Sequence, residues 1–102
     1  MDLNMPLKEY GLTNKEIGVY LELLSLGTVN LQEIAKRLAY PRTTVYNTLN
    51  YLASKGLVSR IIKKGVTCFT ATEPEKIIDN LEEKKRLIEG VLQRLKELQE
   101  NQ

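Results

Sequence analysis

The apolar residues of this chain fall into stripes of helical spacing, interrupted once by a run of β-branched residues. Ile17, Tyr20, Leu21 and Leu24 stand at i, i+3, i+4 and i+7, one face of a first helix. Thr13-Asn14-Lys15-Glu16 precedes it as a capping box, in which hydroxyl and carboxylate satisfy free backbone N–H groups, and Leu12 can staple onto Ile17. Gly27 offers the left-handed residue that ends it. Asn30-Leu31-Gln32-Glu33 repeats the box, with Val29 set to staple onto Ile34, and opens a second helix with Leu31, Ile34, Ala35 and Leu38 on its apolar face. That helix must stop near Tyr40, because the residue before Pro41 is driven out of helical angles. Pro41 is tolerated in the first turn of a third helix, which carries Val45, Leu49 and Leu52, runs to about Lys55 and closes at Gly56. Two short helices joined by so brief a turn form a helix-turn-helix. Leu3, Met5, Pro6, Leu7 and Tyr10 show no sustained period and read as a lead-in with about one turn of helix.

Past Gly56, the residues Leu57, Val58, Ile61, Ile62, Val66, Thr67, Cys68, Phe69 and Thr70 surround Lys63-Lys64-Gly65, which predicts a β-hairpin with a basic tip. Thr72-Glu73-Pro74-Glu75 signals another helix entry, with proline and acids at its positive end. Ile77, Leu81, Lys84, Ile88, Val91, Leu95 and Leu98 then recur at steps of four and three, and Ile78 and Leu92 widen the stripe. A helix from Glu75 to Glu100 would be roughly 39 Å long, more than so small a domain can cover. The expected architecture is mainly α with a small β-hairpin: a winged helix-turn-helix over residues 1–72 and a coiled-coil dimerisation helix over 73–102.

Composition adds limits. With 102 residues, 42% hydrophobic and 27% charged, the chain fits one soluble globular domain. One Phe and no Trp make a modest core that gains from a partner, so a homodimer is expected. No apolar run approaches the ~20 residues of a membrane span, and the Met1-Asp2 start lacks a signal-peptide layout, so a cytoplasmic location is expected. Without histidine and with Cys68 alone, neither the usual zinc sets nor an internal disulfide can be assembled, and no cofactor is expected. No phosphate loop or nucleophile with a histidine base is present, so the sequence does not read as an enzyme. Cys68 reads as a strand residue, with a redox-sensing thiol as the alternative.

The net charge of +2 hides an uneven distribution. Lys36, Arg37, Arg42, Lys55, Arg60, Lys63 and Lys64 lie in a stretch, Lys36 to Thr72, that contains no acid, whereas eight acids face six bases from Glu73 onward. The middle can neutralise phosphates and the tail suits a solvated helix. With Val45 at the centre of the buried face, Thr43, Asn47, Asn50 and Ser54 point outward, flanked by Thr44, Tyr46 and Tyr51. That face is polar and uncharged, which suits a DNA groove. Asparagine pairs with adenine N6 and N7, threonine methyls and tyrosine edges meet thymine methyls, and Arg42 can reach guanine or phosphate. Lys63 and Lys64 fit a wing on the backbone or minor groove, Lys36 and Arg60 fit phosphates at the sides, and Gln32 fits a phosphate at a helix start. The expected partner is double-stranded DNA with a pseudo-palindromic operator, bound by a two-fold dimer.

These residues resemble the TrmB-type winged-helix transcription regulators. The resemblance rests on Leu12-Thr13-x2-Glu16-x3-Tyr20-x3-Leu24-x2-Gly27, Ile34-Ala35, Pro41-Arg42-Thr43-x-Val45-Tyr46-x2-Leu49-x2-Leu52-x2-Lys55-Gly56-Leu57-Val58 and Phe69-x-Ala71-x2-Pro74. It covers roughly residues 7 to 76. It implies a recognition helix from about Arg42, a wing at Lys63 to Val66, a coiled-coil helix after Pro74, and a mostly archaeal family that controls transcription, in many members in response to sugars. Ala39 stands where the family usually has a turn glycine. Longer members carry a sugar-binding domain, and with the sequence ending at Gln102 no sugar effector is expected to carry over. Two other readings stay open: an adaptor that binds protein rather than DNA, and a MarR-like or PadR-like regulator with a ligand pocket beside its dimer helices.

Overall fold

The computed structural model describes residues 2–102 and runs α1 (Asn4–Tyr10), α2 (Asn14–Leu26), β1 (Val29–Asn30), α3 (Leu31–Leu38), α4 (Arg42–Ser54), β2 (Val58–Lys63), β3 (Val66–Ala71) and α5 (Glu75–Glu100). Both capping boxes close. The Glu16 N–H donates to Thr13 Oγ1 at 3.2 Å and the Thr13 N–H donates to Glu16 Oε1 at 2.9 Å. The Glu33 N–H and the Asn30 N–H make the same exchange at 2.9 and 3.5 Å. α3 ends on Ala39 in the left-handed conformation (φ 57°, ψ 32°), and Pro41 in an extended conformation starts α4. This is the turn of the helix-turn-helix.

The strands form an antiparallel sheet in the order β1-β3-β2, with Val29 opposite Phe69 and Val58 opposite Ala71. Lys64 and Gly65 turn the hairpin with positive φ at both positions (51° and 78°), the requirement of a two-residue turn matched to strand twist. The core lies between α2, α3, α4 and the base of the hairpin, where Tyr20, Leu23, Ile34, Leu49, Leu52, Leu57 and Phe69 are fully buried. Each such side chain stabilises the fold by roughly 1.5–3 kcal/mol through the water it leaves.

Three features depart from the sequence-based expectation. The first ten residues hold a seven-residue helix, closed by Gly11 at φ 124° and packed on the core through Leu7 and Tyr10. Val29 and Asn30 add a short third strand, too brief to leave a periodic signal. On α2 the buried face is Ile17, Val19, Tyr20 and Leu23, whereas Leu24 is 38% exposed. α2 is surrounded by α1, α3, α4 and β3, so its buried arc widens past the single stripe that the spacing defined.

α5 is tied to the rest only near its start. Ile77 packs against the core, and Asn80 Nδ2 donates to Tyr10 Oη and to the Lys55 carbonyl, both at 2.8 Å. Lys84 Nζ lies 5.2 Å from the centroid of the Tyr10 ring. From Leu81 onward every residue of α5 is exposed, and the molecule measures 58 × 30 × 25 Å. No helix is long and apolar enough to cross a membrane among the described residues.

Candidate nucleic-acid interface

The rotation of α4 is fixed by Val45, Thr48, Leu49 and Leu52, all turned into the core. Thr48, the polar member of that set, donates its hydroxyl to the Thr44 carbonyl at 2.8 Å. Thr43, Tyr46 and Asn47 are thereby left exposed, with Thr44 and Asn50 half-buried at the margins. Ser54 donates to the Tyr51 carbonyl at 2.6 Å, inside its own last turn.

Beside the first turns of α4 runs a groove of about 410 Å³, lined by Asn30, Leu31, Gln32, Arg42, Tyr46, Arg60, Val66, Thr67 and Phe69. Five elements build it: β1 supplies Asn30, the start of α3 supplies Gln32, the start of α4 supplies Arg42 and Tyr46, and the hairpin strands β2 and β3 supply Arg60 and Thr67. Arg60 is exposed on β2, and its Nη1 donates to Asn50 Oδ1 at 2.8 Å, bridging hairpin and helix. Lys36 is exposed one turn beyond Gln32 on α3, and Lys63 and Lys64 are exposed at the hairpin end. No carboxylate lines the groove. Glu22 accepts from Arg37 Nε at 2.8 Å, an ion pair that partly neutralises Arg37.

The structure thus brings Gln32, Arg42, Tyr46 and Arg60 to one groove, joins Asn50 to it through Arg60, and sets Thr43 and Asn47 on the adjoining helix face. Tyr51 is apart from them. It lines a separate cleft with Tyr10, Leu12, Lys55 and Lys84, and the Lys55 ammonium lies 5.6 Å from its ring centroid. Asn30 and Thr67 were missed by the sequence reading. Thr67 could have been found, because side chains alternate along a strand and it shares a face with the buried Phe69 two residues on.

On α5, Ile78, Leu81, Ile88, Val91, Leu92, Leu95 and Leu98 all lie exposed, and Leu87, absent from the expected stripe, joins them at 63%. Two positions of the stripe are occupied within the chain: Ile77 is half-covered by the core, and Lys84 sits over Tyr10.

The family model described as "Sugar-specific transcriptional regulator TrmB" matches residues 7–75. The HTH-type sugar sensing transcriptional regulator TrmBL1 of Pyrococcus furiosus is 32% identical over 77 residues, covering 76% of this chain and 22% of the relative. The chain therefore spans about a fifth of that relative's length. Among solved structures, TrmBL2, an archaeal chromatin protein whose structure shows a novel mode of DNA binding, superposes with a TM-score of 0.77 at 19% identity, over 93% of this chain and 38% of that one. The ST1889 protein of the thermoacidophilic archaeon Sulfolobus tokodaii gives 0.64 at 26% identity, over 81% and 86%.

Proposed function

Because the chain belongs to the TrmB family of transcriptional regulators, which are not enzymes, we propose that it binds double-stranded DNA as a homodimer and recognises a pseudo-palindromic operator. In this reading residues 1–72 are the DNA-binding unit and residues 73–102 the dimerisation helix. α4 enters the major groove, where Thr43, Asn47 and Tyr46 meet base edges and Arg42 meets guanine or phosphate. The hairpin lies on the backbone or minor groove through Lys63 and Lys64, while Lys36 and Gln32 hold phosphates beside α3.

One observation carries the reading. Past Arg42 in its first turn, the outward side of α4 is polar and uncharged, and it opens beside a groove walled by Arg42 and Arg60 with no acidic lining residue. A helix face exposed merely to water, in a chain with 27% charged residues, would display glutamate and lysine. The apolar stripe of α5 supports the two-fold arrangement. It is too long for its own domain to cover, and a second copy antiparallel or parallel to it buries the same leucines on both sides.

The deciding experiment is fluorescence anisotropy of a pool of randomised duplexes followed by selection, at several salt concentrations. A regulator yields an enriched two-fold sequence and a steep loss of affinity with salt, because each phosphate neutralised adds about 0.9 to the slope. Binding that is absent, or flat with salt, would refute the proposal and favour a protein-binding adaptor.

A further inference from the structure

We infer that Arg60 acts as a specificity-determining positioning residue: by holding Asn50 Oδ1, it makes Asn50 a donor to base acceptors rather than a reader of adenine. The inference rests on the DNA-binding reading above and names one element of its code. An asparagine amide identifies adenine by doing two things at once, accepting from N6–H and donating to N7. Here the Asn50 atom facing Arg60 Nη1 at 2.8 Å has to be the oxygen, since a guanidinium only donates. The amide nitrogen is thereby turned the other way.

The second lone pair of Oδ1 does not restore the adenine contact. A base amine reaching it would have to lie beside the guanidinium cation, donor against donor, and that arrangement is repulsive. Guanine N7 and O6 or thymine O4 have the opposite polarity, so they gain from both the Asn50 N–H and the remaining guanidinium N–H groups. Two residues from different elements, one on α4 and one on β2, thus form a single surface of donors. The hairpin contributes to base selection as well as to backbone contact, because moving β2 would release the Asn50 carbonyl.

The test compares the unmodified protein with Arg60→Met, which has no donor, and with Arg60→Lys and Asn50→Ala, by selection from randomised duplexes followed by anisotropy on the selected sites. In the unmodified protein, one base pair in each half-site prefers guanine over adenine by about tenfold. Arg60→Met shifts that position toward adenine, and Asn50→Ala abolishes the preference there while leaving the others. If Arg60 only neutralises phosphate, Arg60→Met weakens all sequences alike, lowers the salt slope by about 0.9, and Arg60→Lys restores both. That outcome overturns the inference and leaves the regulator standing. Failure of the unmodified protein to select any duplex sinks both.

Discussion

At the scale of single residues, the most informative side chain outside the interface is Tyr20. It is fully buried, and its hydroxyl finds no hydrogen-bond partner among the described residues. Removing an unsatisfied buried hydroxyl while keeping the ring should be neutral or stabilising, so Tyr20→Phe is expected to raise stability by up to about 1 kcal/mol in thermal melts. A loss of that size would show the hydroxyl to be bonded. Burial, with the neighbouring Tyr10 adding to it, pushes the Tyr20 hydroxyl above its ordinary value. The folded state therefore resists ionisation: the associated stability is complete below about pH 10 and is lost as pH rises through the folded value. Tyr20→Phe should flatten that alkaline loss. Ala39 makes a second case. A Cβ in the left-handed region costs about 1 kcal/mol, so Ala39→Gly should raise the melting temperature without altering DNA affinity. An unchanged or lower melting temperature would contradict the strain.

At the scale of elements, the turn signals were legible because they are local chemistry. Thr13 with Glu16, Asn30 with Glu33, and Lys64 with Gly65 each specify their geometry within four residues. What spacing could not supply was the surroundings. Val19 is buried because α2 has neighbours on several sides, and β1 exists because β3 offers it a free edge; neither fact is written within the segment itself. The same limit explains the interface. Arg42, Tyr46 and Gln32 could be placed from helical angle, but the Arg60–Asn50 bond joins residues ten apart across a chain reversal, and Tyr51 lies at the end of α4 beside the α1–α5 contact. The hairpin yields a prediction at this scale. Lys63→Gln combined with Lys64→Asn, where asparagine tolerates the positive φ, should weaken DNA binding equally for all sequences and lower the salt slope by about two. Unchanged affinity would place the hairpin off the DNA.

At the scale of the whole molecule, the proposed dimer would turn one recognition helix into two. Ile88→Asp puts a charge into the middle of the α5 stripe and should give a monomer by light scattering, with operator affinity reduced at least about tenfold; a variant that stays dimeric would refute the seam. In a two-fold dimer the two copies of α4 must lie about 34–36 Å apart to enter successive turns of one groove face. Asn80 bears on that distance. Its amide group grips Tyr10 from α1 and the carbonyl that ends α4, at the point where α5 leaves the domain. About 30 Å of helix extends beyond Asn80, so a tilt of about 5° at this pivot moves the far end by about 2.6 Å. In the proposed dimer, with two such rods locked together, the pair of headpieces would swing on two amide groups, and whatever loosens that wrist would retune the gauge of the operator it spans.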